Sequence, residues 1–202
     1  MDPFLKLSQN SASRKLIQSL RLPIPLPQTL RRERSGWRAR LLDDGRVAVG
    51  SAPNPQLTHQ IAQTLAPSGA RVLWSGPAAL GRSFEAAAEA WAEPVTTLAQ
   101  EDKAPPNEVH ALLFDATGLD SPEQLAAVYE FFAPRVKALS SGGRVVVFSR
   151  PATSPLPETN AARQALEGFT RSLAKELGRR GSTANLVSVE QGAEERIAGP
   201  LR

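Results

Sequence analysis

The sequence predicts an α/β fold, a doubly wound parallel sheet covered by helices on both faces. Three observations carry this. From residue 45 onward, short apolar runs alternate with stretches of helical character. Several of those runs are almost continuously apolar, as strands buried on both faces must be. Clusters of Gly, Pro, Ser and Asn separate them, where the chain has to turn.

The elements follow in order. Gly45 to Gly50 (GRVAVG) is a short strand between glycines. Ser51 to Pro55 is a turn, Gln56 to Ala66 a helix, and Pro67-Ser68-Gly69 its stop. Ala70 to Trp74 is the second strand. Ser83 to Ala92 is an alanine-rich helix whose bulky contacts are Phe84 and Trp91. Val95 to Leu98 is a short strand and Asp102 to Asn107 a polar loop. Val109 to Phe114 is a strong strand. Ser121 caps a helix with Pro122 in its first turn; Leu125, Val128, Phe131 and Phe132 line it, Pro134 bends it, and Ser141-Gly142-Gly143 ends it. Arg144 to Phe148 is the next strand. Asn160 to Gly178 is a helix with Ala162, Ala165, Leu166, Phe169, Leu173 and Leu177 on one stripe. Thr183 to Val189 is the last strand, and Ala193 to Arg202 begins a helix. The expectation is a sheet cut short before a last helix and strand.

Residues 1–44 read as a separate arm. Phe4 to Leu20 is a helix weakened by Ser11, Ala12 and Ser13, and Leu22 to Pro27 alternates apolar residues with proline, which keeps it extended. Residues 1–50 hold ten Lys/Arg against four Asp/Glu, whereas the remainder holds 14 against 16, so the charge sits in front. The densest stretch is Arg31 to Arg40. Aromatics are only 5% and no nucleic-acid module follows, so the arm reads as a solvated arm, or one that docks on an acidic face of a neighbouring domain, rather than a nucleic-acid binder. Its apolar residues, Leu16, Ile17 and Leu20 among them, are expected to pack on the body or on a partner.

Composition excludes several chemistries. There is no cysteine, so no disulfide scaffold, thiolate metal site or Cys nucleophile exists, and a reducing, cytoplasmic setting fits. With two histidines only, His59 and His110, no multi-His metal centre is expected. No apolar run approaches a membrane span.

Two stretches carry a resemblance. Gly168 to Leu177 (GFTRSLAKEL) with Arg180 to Val187 (RGSTANLV) is similar to the short-chain dehydrogenase/reductase superfamily, nearest its 3-oxoacyl-acyl-carrier-protein reductases. Gly143 to Ser149 and Val109 to Thr117 resemble two strands of that family. The whole, residues 45 to 202, resembles the degenerate amino-terminal Rossmann- or flavodoxin-like domain of the high-molecular-weight 3-oxoacyl-acyl-carrier-protein reductases, and Pro27 to Arg32 resembles their arm. The resemblance implies a three-layer Rossmann-like sandwich, a role in fatty acid biosynthesis, NADPH or NADH in the parent protein, and a catalytic reductase domain or subunit as partner. Acyl-carrier protein and a second copy of the chain are further expected partners.

The family's active-site positions are altered. Thr159 stands at the Tyr and Arg163 at the Lys of Tyr-x-x-x-Lys, and the Ser falls at about Arg150, next to Ser149. A Thr hydroxyl lacks a phenol's acidity, and an Arg does not reproduce the geometry of Lys. The phosphate loop keeps Gly50, but Ser51, Ala52, Gln56 and Thr58 stand in a run with two prolines. Prolines remove backbone donors, and the family's glycines let the backbone approach a pyrophosphate. Trp74-Ser75-Gly76 offers no carboxylate for a ribose and no Arg for a 2′-phosphate. Asp115 sits at a strand's end, fit for a ligand or for a turn. No catalytic, cofactor-binding or metal-binding residue is expected in this chain. The expected function is a non-catalytic domain of a 3-oxoacyl-acyl-carrier-protein or acyl-CoA reductase, structural or partner-docking. The alternatives are an active NAD(P)H-dependent reductase with a divergent site, and an anion-binding module in which Arg150 and Arg163 share one crevice.

Overall fold

In the computed structural model, the residues described are 10–20, 36, 38–98 and 109–201. Six strands among them form one sheet: β1 (Arg46–Ser51), β2 (Arg71–Ser75), β3 (Val95–Thr97), β4 (Val109–Asp115), β5 (Leu139–Ser149) and β6 (Thr183–Ser188). Their order is β3-β2-β1-β4-β5-β6, and every pairing is parallel. The helices are α1 (Ser11–Ser19), α2 (Thr58–Leu65), α3 (Ala78–Trp91), α4 (Ala126–Arg135), α5 (Pro157–Gly178) and α6 (Ala198–Leu201).

Strand alternation divides the core. Val47, Val49, Val72, Trp74, Leu113, Val146 and Phe148 pack with Leu57, Ile61, Leu65 and Phe84 from the α2 and α3 side, where Ile197 and Leu201 also join. Ala48, Leu112, Phe114, Val145 and Val147 face the other way, onto Phe131 and Phe132 of α4 and Leu166 and Leu173 of α5. Phe114, Phe131 and Phe132 form a ring cluster, with Phe131 and Phe132 edge to face at 4.9 Å. Gly50 belongs to this packing: a Cβ there would lie 2.2 Å from the Phe131 ring, so only glycine lets α4 sit this close to β1.

Several elements differ from the sequence expectation. α3 begins at Ala78, five residues before the expected Ser83, and Gly81 within it sits against Trp74. Trp91, expected as a core contact of that helix, is 49% exposed, and Phe84 alone fills the role. Ser121 makes no side-chain cap; Pro122–Leu125 form a 3-10 turn before α4. Ser141-Gly142-Gly143 does not end a helix but lies within β5, where a register shift beside Leu139 accommodates the extra residues. α5 starts at Pro157, and Ala165 of its expected stripe is exposed. The terminal helix is short, a 3-10 turn at Glu194–Ile197 followed by α6.

In the arm, α1 opens at Ser11 because the Asn10 side chain accepts the Ala12 N–H at 3.0 Å. Leu16 and Leu20 are exposed, 61% and 59%, so of the two expected covers, body or partner, the described body does not cover them. The expected helical start at Phe4, the Leu22–Pro27 run, Arg31 to Arg34 and the loop at Asp102–Asn107 lie outside the described residues.

Candidate functional site

In an open parallel sheet, ligands bind beyond the carboxyl ends of the strands, where strand order reverses. Here that point lies between β1 and β4, and two loops flank it, residues 52–57 and 116–121. The chain closes this crevice itself. Asp115 ends β4 and is 1% exposed. Its Oδ2 accepts the Leu57 N–H at 2.8 Å. Its Oδ1 accepts the Thr117 N–H at 3.0 Å and the Thr117 hydroxyl at 2.5 Å. Thr117 Oγ1 in turn accepts the Gln56 N–H at 2.9 Å, and Ala52 N–H donates to the Asp115 carbonyl at 2.8 Å. Gly118 completes the closure. A Cβ there would lie 2.2 Å from the carbonyl oxygens of Pro53 and Asn54, so the two loops meet backbone to backbone.

These contacts bear on a dinucleotide. A pyrophosphate at a helix N-terminus needs free N–H groups and benefits from the positive end of the helix dipole. At the entry to α2, the Gln56 and Leu57 N–H groups are taken by Thr117 and Asp115, while Pro53 and Pro55 have none. Asp115 puts the chain's own carboxylate at that dipole end. Burial pushes its pKa up; bonds from Thr117 and Leu57 and the nearby Arg150 pull the other way without reversing the shift. The loop residues therefore do not suit a pyrophosphate. Asp115 is a fastener between two loops, the turn-type role the sequence left open.

A second, polar cleft of about 560 Å³ lies beyond β5 and β6, lined by Gln56, Arg150, Pro151, Thr153, Arg163 and Glu190. Arg150 and Arg163 do share one crevice, the condition set for an anion site. Both are already engaged. Arg150, 8% exposed, donates through Nε and Nη2 to Gln56 Oε1 (3.0 and 2.6 Å), through Nη1 to the Val189 carbonyl (2.9 Å), and through Nη2 to Glu194 (2.5 Å). That bond holds the Glu194 carboxyl below its ordinary range. Arg163 donates to the Pro151 carbonyl at 2.9 Å and the Asp120 carboxylate at 3.3 Å. With Glu194, Asp120 and the exposed Glu190 nearby, two cations meet three carboxylates, and the cleft carries no surplus positive charge.

Most of the remaining sequence candidates lie inward, the Ser51 and Thr58 hydroxyls buried without a partner. Thr159 is 2% exposed and donates its hydroxyl to the Asp120 carbonyl at 2.8 Å, so it holds the loop after β4. Ser149 is buried and donates to the Arg150 carbonyl at 3.0 Å. Thr58 is buried at the start of α2, Ser51 ends β1, Ala52 is buried, and Gln56 is the acceptor for Arg150. His59 is exposed on α2; His110 accepts the Arg46 N–H at its Nδ1, 3.1 Å. Among the described residues, no three His, Cys, Asp or Glu side chains cluster to hold a metal, and no helix is long and apolar enough to cross a membrane.

Sequence reasoning placed Thr117 and Gly118 among the candidate positions after β4 but missed Asp120 and Glu194, whose partners Arg163 and Arg150 lie 43 and 44 residues away. It also missed an arginine at the end of β2. Arg135 reaches there from α4, fully buried, donating to Ser75 Oγ at 2.7 Å and to the Phe131 carbonyl at 3.0 Å, with its guanidinium 5.2 Å from the Phe131 ring centre. Beside it is a hollow of about 580 Å³ lined by Ser51, Pro53, Ser75, Leu98 and Phe131.

No protein-family model matches the sequence, and no curated protein matches it. Solved structures do match in shape. A short-chain dehydrogenase/reductase from Serratia marcescens superposes with a TM-score of 0.61 at 18% identity, covering 80% of this chain and 90% of that one. A dehydrogenase/reductase from Sinorhizobium meliloti gives 0.60 at 17% identity over 81% and 88%. An oxidoreductase from E. coli gives 0.58 at 16% over 84% and 86%. On its sheet order, its layers and these superpositions, the chain has the fold of the short-chain dehydrogenases/reductases.

Proposed function

We propose that this chain is a reductase-fold domain without reductase chemistry of its own, which works by packing or docking in a 3-oxoacyl-acyl-carrier-protein or acyl-CoA reductase system. The carrying observation is the closed switch point: Thr117 and Asp115 occupy the Gln56 and Leu57 N–H groups just before α2, and Pro53 and Asn54 rest on Gly118. Parting the two loops for a nucleotide would break the three hydrogen bonds that join them, from the Ala52, Gln56 and Leu57 N–H groups, each costing about 1–3 kcal/mol when its donor is stranded. Thr159 turns to a backbone carbonyl and Arg163 to Pro151 and Asp120, so neither stands ready to donate a proton or grip a ribose. In this reading, NADPH or NADH and the reacting residues belong to a catalytic partner, and the setting is the cytoplasm.

The test is reduction of a 3-oxoacyl thioester by the chain alone and by the chain mixed with a catalytic reductase. The expected result is no turnover alone and a complex with the reductase by sedimentation. Turnover by the chain alone, absent from the heat-denatured chain, favours the divergent active reductase instead.

A further inference from the structure

One chain of hydrogen bonds laces the loops after β1, β4, β5 and β6, and it begins and ends on a carboxylate. The Thr117 hydroxyl donates to Asp115, and its oxygen accepts the Gln56 N–H. The Gln56 side-chain oxygen accepts from Arg150 Nε and Nη2, and the same Nη2 donates to Glu194 in the 3-10 turn after β6. Arg150 Nη1 ties in the Val189 carbonyl. Gln56 is the joint. Its backbone serves the crevice between β1 and β4, and its side chain serves the cleft beyond β5 and β6.

We propose that this chain of bonds is a latch with a remote release, in which Glu194 sets how readily the β1–β4 crevice opens. Nη2 serves Gln56 and Glu194 together, so the guanidinium orientation that suits one fixes the other. Losing Glu194 strips the buried guanidinium of its paired carboxylate, and a buried cation left in that state turns toward water. It then lets go of Gln56, and residues 52–57 lose the hold that presses the Gln56 N–H onto Thr117. The effect accumulates along the chain, because a hydroxyl that donates, as Thr117 does to Asp115, is the better acceptor for the next group. Glu194 is the member within reach of solvent or a partner: its side chain is 21% exposed, against 9% for Arg150. Asp115 and Gly118 close the crevice without Glu194, so failure of the latch would leave the closed crevice standing.

Amide hydrogen exchange of the full chain tests this, read at Gln56 and Leu57. Glu194→Ala should speed exchange of both amides by about threefold or more, the lower range for groups that share one hydrogen-bond network. That change should exceed any at Leu113 and Val146, whose amides report on the central strands. Glu194→Gln keeps an acceptor and should fall between. Glu167→Gln, at an exposed ion pair on α5, is the control and should leave Gln56 and Leu57 as they are. In a Gln56→Ala chain the joint is gone, and adding Glu194→Ala should no longer speed exchange at Leu57. Gln56 is exposed and Glu194 half-buried in a turn, so these variants spare the core, which circular dichroism checks. Unchanged Gln56 and Leu57 amides in Glu194→Ala overturn the proposal. So does a change no larger than that of the central strands, or one that persists at Leu57 in the Gln56→Ala chain.

Discussion

Replacing Asp115 by alanine removes the acceptor of three donors at once. Two are backbone N–H groups, of Leu57 and Thr117, in residues 0% and 1% exposed. The third, the Thr117 hydroxyl, can rotate. A stranded buried donor costs about 1–3 kcal/mol, so the two N–H groups together lose about 2–6 kcal/mol. Relief from burying a carboxylate offsets part, leaving about 3 kcal/mol, a large share of a domain's usual 5–15 kcal/mol. With a urea slope of about 2 kcal/mol/M, the unfolding midpoint should fall by about 1.5 M with the slope unchanged. Asp115→Asn keeps one carbonyl oxygen but turns an NH2 group toward one of the donors, and should fall between the two. The assay is equilibrium urea unfolding followed by tryptophan fluorescence. A midpoint shift below about 0.3 M for the alanine variant would refute the view that this carboxylate fastens the loops.

Gly50→Ala should destabilise by about 1–3 kcal/mol through overpacking on Phe131, and Phe131→Leu in the same chain should recover part of it, read as a double-mutant cycle. Glu194, whose carboxyl Arg150 holds below its ordinary value, should contribute stability that is present above about pH 4.5 and lost as pH falls through its lowered pKa. In Glu194→Gln the acid limb of thermal stability should therefore be flatter. Asp115 works in the opposite sense: its raised pKa means that stability declines as pH climbs from the ordinary aspartate range through the raised value, and Asp115→Asn should remove that decline. Thr159→Tyr with Arg163→Lys should yield no 3-oxoacyl reduction, because acid–base groups contribute about two to four orders of magnitude only when a hydride donor is bound.

The strands were legible because Val47–Val49, Leu112–Phe114 and Val145–Phe148 are runs that only a twice-covered sheet can bury. Two boundaries misplaced from the sequence lie at glycines: the helix expected from Ser83 begins at Ala78, with Gly81 making room for Trp74, and Gly142 with Gly143, expected to end a helix, sit in an irregular stretch of β5. The candidate positions themselves were legible from their place after strands. Their partners were not. Arg150 finds Gln56 and Glu194 at separations of 94 and 44 residues, and Arg135 meets Ser75 from 60 away. No local spacing encodes such pairs. Asp115 was ambiguous in kind, since a carboxylate at a strand's end suits a ligand and a loop fastener equally, and only the Leu57 and Thr117 donors decide between them.

The central claim is that the β1–β4 crevice is closed from within, and calorimetric titration of the wild-type chain with NADH and with NADPH tests it most directly. A site with millimolar affinity is worth about −4 kcal/mol and is detectable at millimolar nucleotide. The account predicts no saturable heat from either nucleotide. Saturable binding of either nucleotide to the wild-type chain would contradict it by showing that the crevice opens to a dinucleotide.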